Sequence, residues 1–492
     1  MISQNDTDIF SSRRAGVLLH PTCIKGPEGV LGGHARAFVD FLAEAGITVW
    51  QTLPLGPTHS DLSPYQSLSA HAGNADLIDV AELEAMGLLQ ASELDTGLES
   101  HGREALLARA ITRFLQGDAP QFDADFEAFR QENRYWLDTY AEFIAIRRKY
   151  PGTTWQQWPV GLRDRERAEM DALSREASDM IRRVQFEQFL FLTQWRAIKR
   201  YAHDRGVLLF GDIPIFVAHD SADVWANRRC FKLDNEGNPQ VVAGVPPDYF
   251  SDEGQHWGNP LYDWDYIAAD GYQWWLQRLE SQRHLFDLIR IDHFRGLSAY
   301  WEIPADRPQP RNGYWVPGPG AAFLDACFAK FPDLPLVAEN LGIIGPEVEE
   351  LRHRFRLPGM TVLQFGFDGS PDNPHLLGNH KQRDLVYTGT HDNDTTLGWY
   401  QSLDDRSRDY VNQYFDTDGR DMPWPLIKAA FRSVSSIALV PMQDFLGLGS
   451  SARFNTPGTT ENNWLWKLDL ADCTPDLSLK IREMLQISNR TF

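Results

Sequence analysis

Three short apolar runs end in a carboxylate: Leu288-Ile289-Arg290-Ile291-Asp292, Leu336-Val337-Ala338-Glu339, and Val386-Tyr387-Thr388-Gly389-Thr390-His391-Asp392. A parallel barrel presents its reactive side chains where its strands stop. Side chains alternate along a strand, so Arg290 and Asp292 are expected on one face. The fixed charge of Arg290 then favours ionised Asp292, as a nucleophile requires. Glu339 becomes the candidate for a raised pKa and the role of proton donor. Retaining cleavage of a glycosidic bond uses two carboxyl groups about 5–5.5 Å apart. Adjacent strands, ~4.8 Å apart, can bring Asp292 and Glu339 into that range. Asp392 could grip two hydroxyls of the same sugar and favour its distorted ring, with His391 donating beside it.

Each acid has a plainer reading as a cap for a following helix, and for any single one that reading is the better. For the set, with Arg290 and His391 alongside, it is not. Asp212 ends Phe210-Gly211-Asp212-Ile213-Pro214. It could hold Arg290, His293 or a substrate hydroxyl, and simple loop anchoring is almost as good an account. Asp444 is a weaker candidate. No histidine or cysteine spacing suits zinc, no EF-hand loop is present, and Gly447-Leu448-Gly449 lacks the remainder of a phosphate-loop fingerprint. No metal and no cofactor are expected.

Positioning these acids requires several short buried strands. Eight are expected, at residues 16–20, 48–53, 207–212, 286–292, 336–339, 361–367, 384–388 and 437–441. They are nearly continuous in apolar residues, as strands buried on both faces are. Helical patterns lie between most of them, which predicts an α/β chain folded as a (β/α)₈ TIM barrel. The whole chain, 1–492, is expected to be one catalytic unit. Residues 54–206 are too long for one crossover helix. They predict a mainly helical insertion, with helices at 103–115, 126–150 and 165–201. Residues 213–285 form a second insertion carrying a Gly/Pro/aromatic run at 244–264. Both should rise from the catalytic face.

Composition narrows the substrate. The chain has 68 Asp and Glu against 47 Lys and Arg, a net charge of −21. That surface repels nucleic acid and anionic membranes and disfavours anionic substrates. The 16 Trp, 15 Tyr and 28 Phe exceed the usual needs of a core. Flat rings suit the C–H faces of sugars, although most must simply be core, leaving loop residues such as Trp257 as candidates. Cys23, Cys230, Cys327 and Cys473 are scattered, the pattern of reduced thiols in a cytoplasmic protein. The polar start Met1-Ile2-Ser3-Gln4-Asn5-Asp6 is not a secretory signal, and no apolar stretch approaches a membrane span. A monomer or small homo-oligomer is expected.

At these residues the chain resembles the amylomaltases, 4-α-glucanotransferases of glycoside hydrolase family 77. The resemblance runs from Gly16-Val17-Leu18-Leu19-His20-Pro21 to about Trp466. It includes Ser63-Pro64-Tyr65-Gln66-Ser67, Gly244-Val245-Pro246-Pro247-Asp248-Tyr249-Phe250-Ser251 and the stretches at 254–262, 290–296, 338–342, 389–395 and 455–459. It implies Asp292 as nucleophile, Glu339 as acid/base and Asp392 as transition-state stabiliser. Substrate contacts are implied for Arg290, His391, Tyr65, Asp212 and Trp257, and expected also for His293, Asn259 and Pro260. Residues 249–260 resemble a loop that arches over the family's active site, where a lid would exclude water and favour a sugar acceptor. The implied partners are maltooligosaccharides and α-1,4-glucans. Asn340 stands where the family usually has Asp, a change expected to retune Glu339, and His59-Ser60-Asp61-Leu62 replaces a Gly-Tyr-Gly-Asp stretch. Two rivals share these residues: a hydrolase using water as acceptor, and a silent glucan-binding protein.

Overall fold

The apolar runs carry β-branched and long aliphatic residues in pairs, so both faces of each strand need cover. The computed structural model describes residues 8–247, 253–342 and 344–490. In chain order its strands are β1 (Arg14–Leu18), β2 (Val49–Gln51), β3 (Leu208–Ile213), β4 (Val241–Val245), β5 (Gln255–Pro260) and β6 (Leu288–Ile291). They continue with β7 (Ala299–Pro304), β8 (Tyr314–Pro317), β9 (Leu336–Ala338), β10 (Met360–Val362), β11 (Leu385–Tyr387) and β12 (Ile437–Pro441). Eight of them form one parallel sheet in the order β10-β11-β12-β1-β2-β3-β6-β9. Its two ends meet where Ala338 N donates to Pro358 O at 2.9 Å and Met360 N donates to Asn340 Oδ1 at 2.8 Å. The result is the expected (β/α)₈ barrel.

Side-chain alternation sorts the barrel into two cores. Leu208, Phe210, Leu288, Val337, Met360, Val362, Leu385, Ile437 and Leu439 pack together inside it, and Phe10 closes their cluster. Leu209, Ile289, Val386 and Ala438 face the surrounding helices. The same alternation carries Gln51, Asp212 and Arg290 onto the inner face above the apolar plug. The barrel therefore changes from apolar to polar along its axis, and the candidate site residues sit at the polar end.

All eight expected barrel strands are present, most with ends shifted by one or two residues. The sixth differs most: residues 361–367 were expected as strand, but the strand stops at Val362 and Leu363–Phe365 turns into a 3₁₀ helix. Between β2 and β3 the chain is mainly helical. The expected helix at 126–150 is two, Asp123–Glu132 and Arg134–Lys149. Asn133 causes the break, its Nδ2 donating to Phe129 O and its Oδ1 accepting from Trp136 Nε1. Residues 165–201 likewise divide into Arg167–Glu176 and Ser178–Asp204. The helix expected at 103–115 starts after Gly102, whose φ of 76° kinks Ala91–Leu115.

A second sheet was not foreseen. It is antiparallel, in the order β5-β4-β7-β8. It joins residues from the excursion after β3 to residues after β6, so the expected insertion at 213–285 is structurally continuous with Ala299–Pro317. Residues 249–252 of the expected lid lie outside the described residues. Most of its remainder is not loop: Gln255–Pro260 is β5, paired with β4 across a register shift between Val242 and Gly244.

Candidate active site

The register of β6 and β9 matches Ile291 with Ala338, so Asp292 and Glu339 leave neighbouring strands side by side. Arg290 lies beneath them. Its Nη1 donates to Asp212 Oδ2 at 2.6 Å, and its Nη2 is 2.9 Å from Asp292 Oδ1. Tyr65 OH donates to the same Asp212 oxygen at 2.7 Å. Asp212 thus anchors Arg290 and Tyr65 rather than a loop. Left-handed backbone at His293, φ 50°, accompanies the turn of its N–H toward Glu339 Oε2 at 2.7 Å, while Leu341 N donates to Oε1 at 2.8 Å. Two backbone donors therefore fix the Glu339 carboxyl.

Electrostatics depart from the simplest expectation. Burial pushes Asp292 above the usual carboxylate range; Arg290 opposes this, and the charges of Asp212, Glu339 and Asp392 reinforce it. Burial raises Glu339 as well, against the pull of Arg290 and its two backbone donors. One guanidinium does not hold every neighbouring acid ionised, so Asp292 and Glu339 act as a pair that retains a proton into the neutral range. Burial would lower Arg290, but Asp212, Asp292, Tyr65 and Glu339 hold it well above its ordinary value, permanently charged. Burial keeps Tyr65 protonated and lowers His391 and His293, the last to about 3. Both imidazoles are neutral at pH 7.

The third acid is set by a different group of residues. Asp392 follows β11 in a loop tied down by Asp444, just past β12. Asp444 accepts from Thr388 Oγ1 at 2.7 Å, Thr396 N at 2.7 Å and Thr396 Oγ1 at 2.6 Å. Asp392 Oδ1 accepts from Asn455 Nδ2 at 2.6 Å, Arg453 donates to its carbonyl at 2.8 Å, and His391 Nε2 is 3.4 Å from Oδ2. The His391 ring stacks on Tyr65, 5.1 Å between centroids and 16° between planes, with Trp464 behind both. Sequence reasoning gave Asn455, Arg453 and Trp464 no role, although the family-like stretch at 455–459 contained the first of them. It also undervalued Asp444.

Elsewhere on the cleft wall, Trp257 meets the His293 ring edge to face at 4.9 Å. The His293 Nε2 has no hydrogen-bond partner among the described residues. Asn259 lines the cleft, but its amide is engaged by protein, donating to Val217 O and accepting from Gln66 Nε2. Pro260 is buried in the second sheet opposite Val242, away from the cleft wall. Asn340 does not address Glu339 directly: its Oδ1 takes Met360 N and its Nδ2 donates to Glu349 Oε1 at 2.8 Å. Any effect on Glu339 is therefore positional. Among the described residues, no group of three or more His, Cys, Asp or Glu is arranged to hold a metal ion.

Asp292, Glu339, Asp392, Arg290, His391, Tyr65, Trp257 and His293 all line one cleft of about 1530 Å³. That exceeds the roughly 300–1,000 Å³ of a small-molecule pocket and leaves room for several linked sugars.

Comparison with known proteins agrees with this geometry. The family model for glycoside hydrolase family 77, 4-α-glucanotransferase, matches residues 19–472. The 4-α-glucanotransferase of Thermus thermophilus is 44% identical over 97% of this chain and 99% of its own length. The chloroplastic/amyloplastic 4-α-glucanotransferase of Oryza sativa subsp. japonica is 42% identical over 97% of this chain and 84% of its own. The amylomaltase of Streptococcus agalactiae, solved with acarbose, superposes with a TM-score of 0.92 at 35% identity, covering 98% of this chain and all of that one. A chain carrying these acids on a barrel of this register, matched over nearly its full length, belongs to the 4-α-glucanotransferases of glycoside hydrolase family 77.

Proposed function

We propose that the protein disproportionates α-1,4-glucans by a retaining double displacement. The observation that carries the mechanism is the side-by-side exit of Asp292 and Glu339 from paired strands, beside Arg290 and within one open cleft. In the first step an Asp292 oxygen attacks the anomeric carbon, the glycosidic C–O bond breaks, and Glu339 gives its proton to the leaving 4-oxygen. The proton retained by the acid pair supplies this step. In the second, the 4-hydroxyl of an acceptor glucan loses its proton to Glu339 and its oxygen displaces Asp292. Two inversions restore the α configuration.

Arg290 pairs with the Asp292 carboxylate when it leaves, and neutral His391 and Asp392 hold hydroxyls of the reacting sugar. The proposed substrates are maltooligosaccharides and starch- or glycogen-like chains. All four cysteines are free thiols, which supports a cytoplasmic setting.

The test is incubation of the purified protein with maltotriose and separation of the products by length. Chains longer than the starting sugar, together with free glucose, are expected. Glucose and maltose alone would show that water, not sugar, takes the glycosyl group.

A further inference from the structure

The cleft continues beyond the residues that perform the proposed chemistry, and its far wall carries an aromatic side chain with an unusual environment. Most tryptophans of this chain are buried; Trp50, Trp155, Trp195, Trp225 and Trp275 are fully so. Trp315 on the edge strand β8 is 40% exposed and lines the cleft. An exposed aromatic on an unpaired sheet edge is a liability for aggregation, so its retention there calls for another use.

The ring is also held firmly. Trp315 pairs directly with Trp301 of β7, their rings 5.1 Å apart and edge to face. Trp301 is itself pinned by its Nε1–H bond to Pro310 O at 2.8 Å, and a Cβ on Gly313 would stand 2.2 Å from that nitrogen. The Arg295 guanidinium lies 3.9 Å over one face of the Trp315 ring. The preceding residue, Tyr314, alternates to the other face of the sheet and donates to Glu302 at 2.6 Å. The indole is thus a fixed platform whose free surface is turned into the cleft.

Its position relative to the acids gives it a side. Tyr65, His391 and Asp392 form one wall. Glu339 is bonded to His293 N, and Arg295, two residues further, carries the contact to Trp315. A proton donor stands beside the bond being broken, so the reacting sugar lies on the Tyr65 side and the leaving or accepting chain on the side of His293 and Arg295. We infer that Trp315 is a sugar-stacking platform for the second or third glucose of the acceptor chain, and so sets the preference for acceptor length. An indole face matches the C–H face of a glucose unit and needs no charge on the ligand.

This inference rests on the proposed glucanotransfer, and the experiment separates the two. With amylose as donor and labelled glucose, maltose or maltotriose as acceptor, label incorporated into longer chains is measured against acceptor concentration. For W315A and W315L the apparent KM for maltotriose should rise about tenfold, the loss of one stacking contact. The KM for glucose should move far less, and W315F should restore most of the preference. W315L keeps apolar bulk against Trp301, so it remains informative where W315A folds poorly. Equal rises for all three acceptors, or none, would overturn the platform. Should the wild type incorporate no label, the transferase reading fails. Calorimetric titration of maltopentaose into D292N and D292N/W315L then decides the platform alone: weaker binding in the second supports it, and equal binding refutes it.

Discussion

In the proposed mechanism Asp292 is the residue on which the chemistry turns, and its surroundings make it costly. A carboxyl whose folded pKa is raised binds its proton more tightly in the native than in the unfolded chain. Native stability therefore falls as pH rises from about 4 toward the raised folded value. Asp292 and Glu339 both shift upward. Asp292→Asn is expected to abolish turnover by about 10³-fold or more while unfolding at a higher temperature than the wild type at neutral pH. That gain should shrink near pH 4, where both forms are uncharged. Thermal scans at several pH values check the sign; a variant less stable than the wild type at pH 7 contradicts it. Arg290→Lys keeps a charge but loses the fork that joins Asp212 to Asp292, so kcat should fall by about 10²-fold with the fold retained. The acids were legible in the sequence because each ends a short run, and Arg290 because it lies two residues before Asp292. Asn455 was not, since it reaches Asp392 from 63 positions further along the chain.

The loop after β11 and the junction of β9 with β10 depend on polar side chains that do not line the cleft. Asp444 satisfies three donors there. Asp444→Ala strands those groups and is expected to lower stability by about 2–4 kcal/mol. It should also lower kcat by about tenfold or more as Asp392 loses its fixed position. Asp444→Asn, which keeps one acceptor oxygen, should fall between, as denaturant unfolding and initial rates will show. At the barrel's junction, Asn340→Asp sets a second carboxylate against Glu349 and should cost about 1–2 kcal/mol. Glu349→Gln in the same chain should recover part of it; no recovery would mean that the contact is neutral. The barrel strands were visible as apolar runs of one type. The second sheet was hidden because its strands mix glycine, proline and aromatic residues without clean alternation, and its central β4–β7 pairing joins distant segments, so local pattern carries no register. The same blindness turned β5, with Trp257, into a loop.

Taken together, the molecule is a barrel with an apolar plug at one end and an acidic, aromatic-walled cleft at the other. Its net charge of −21 and its cleft of about 1530 Å³ both suit a neutral, extended ligand. Because the acid pair retains its proton, the alkaline limb of kcat/KM is expected above the ordinary carboxylate range, and a limb near pH 4–5 would contradict that electrostatic picture. The barrel type followed from the strand pattern and the family from its motifs, whereas the shape of the cleft depended on contacts between distant segments and needed the fold. The most direct test of the mechanism is to trap its intermediate. Glu339→Gln should still react with an α-maltosyl fluoride, whose leaving group needs no acid, but should release the sugar slowly for want of a base. Peptide mass spectrometry of the quenched protein should then find a maltosyl group on Asp292. An adduct on another residue, or none during turnover of the fluoride, would contradict the double displacement.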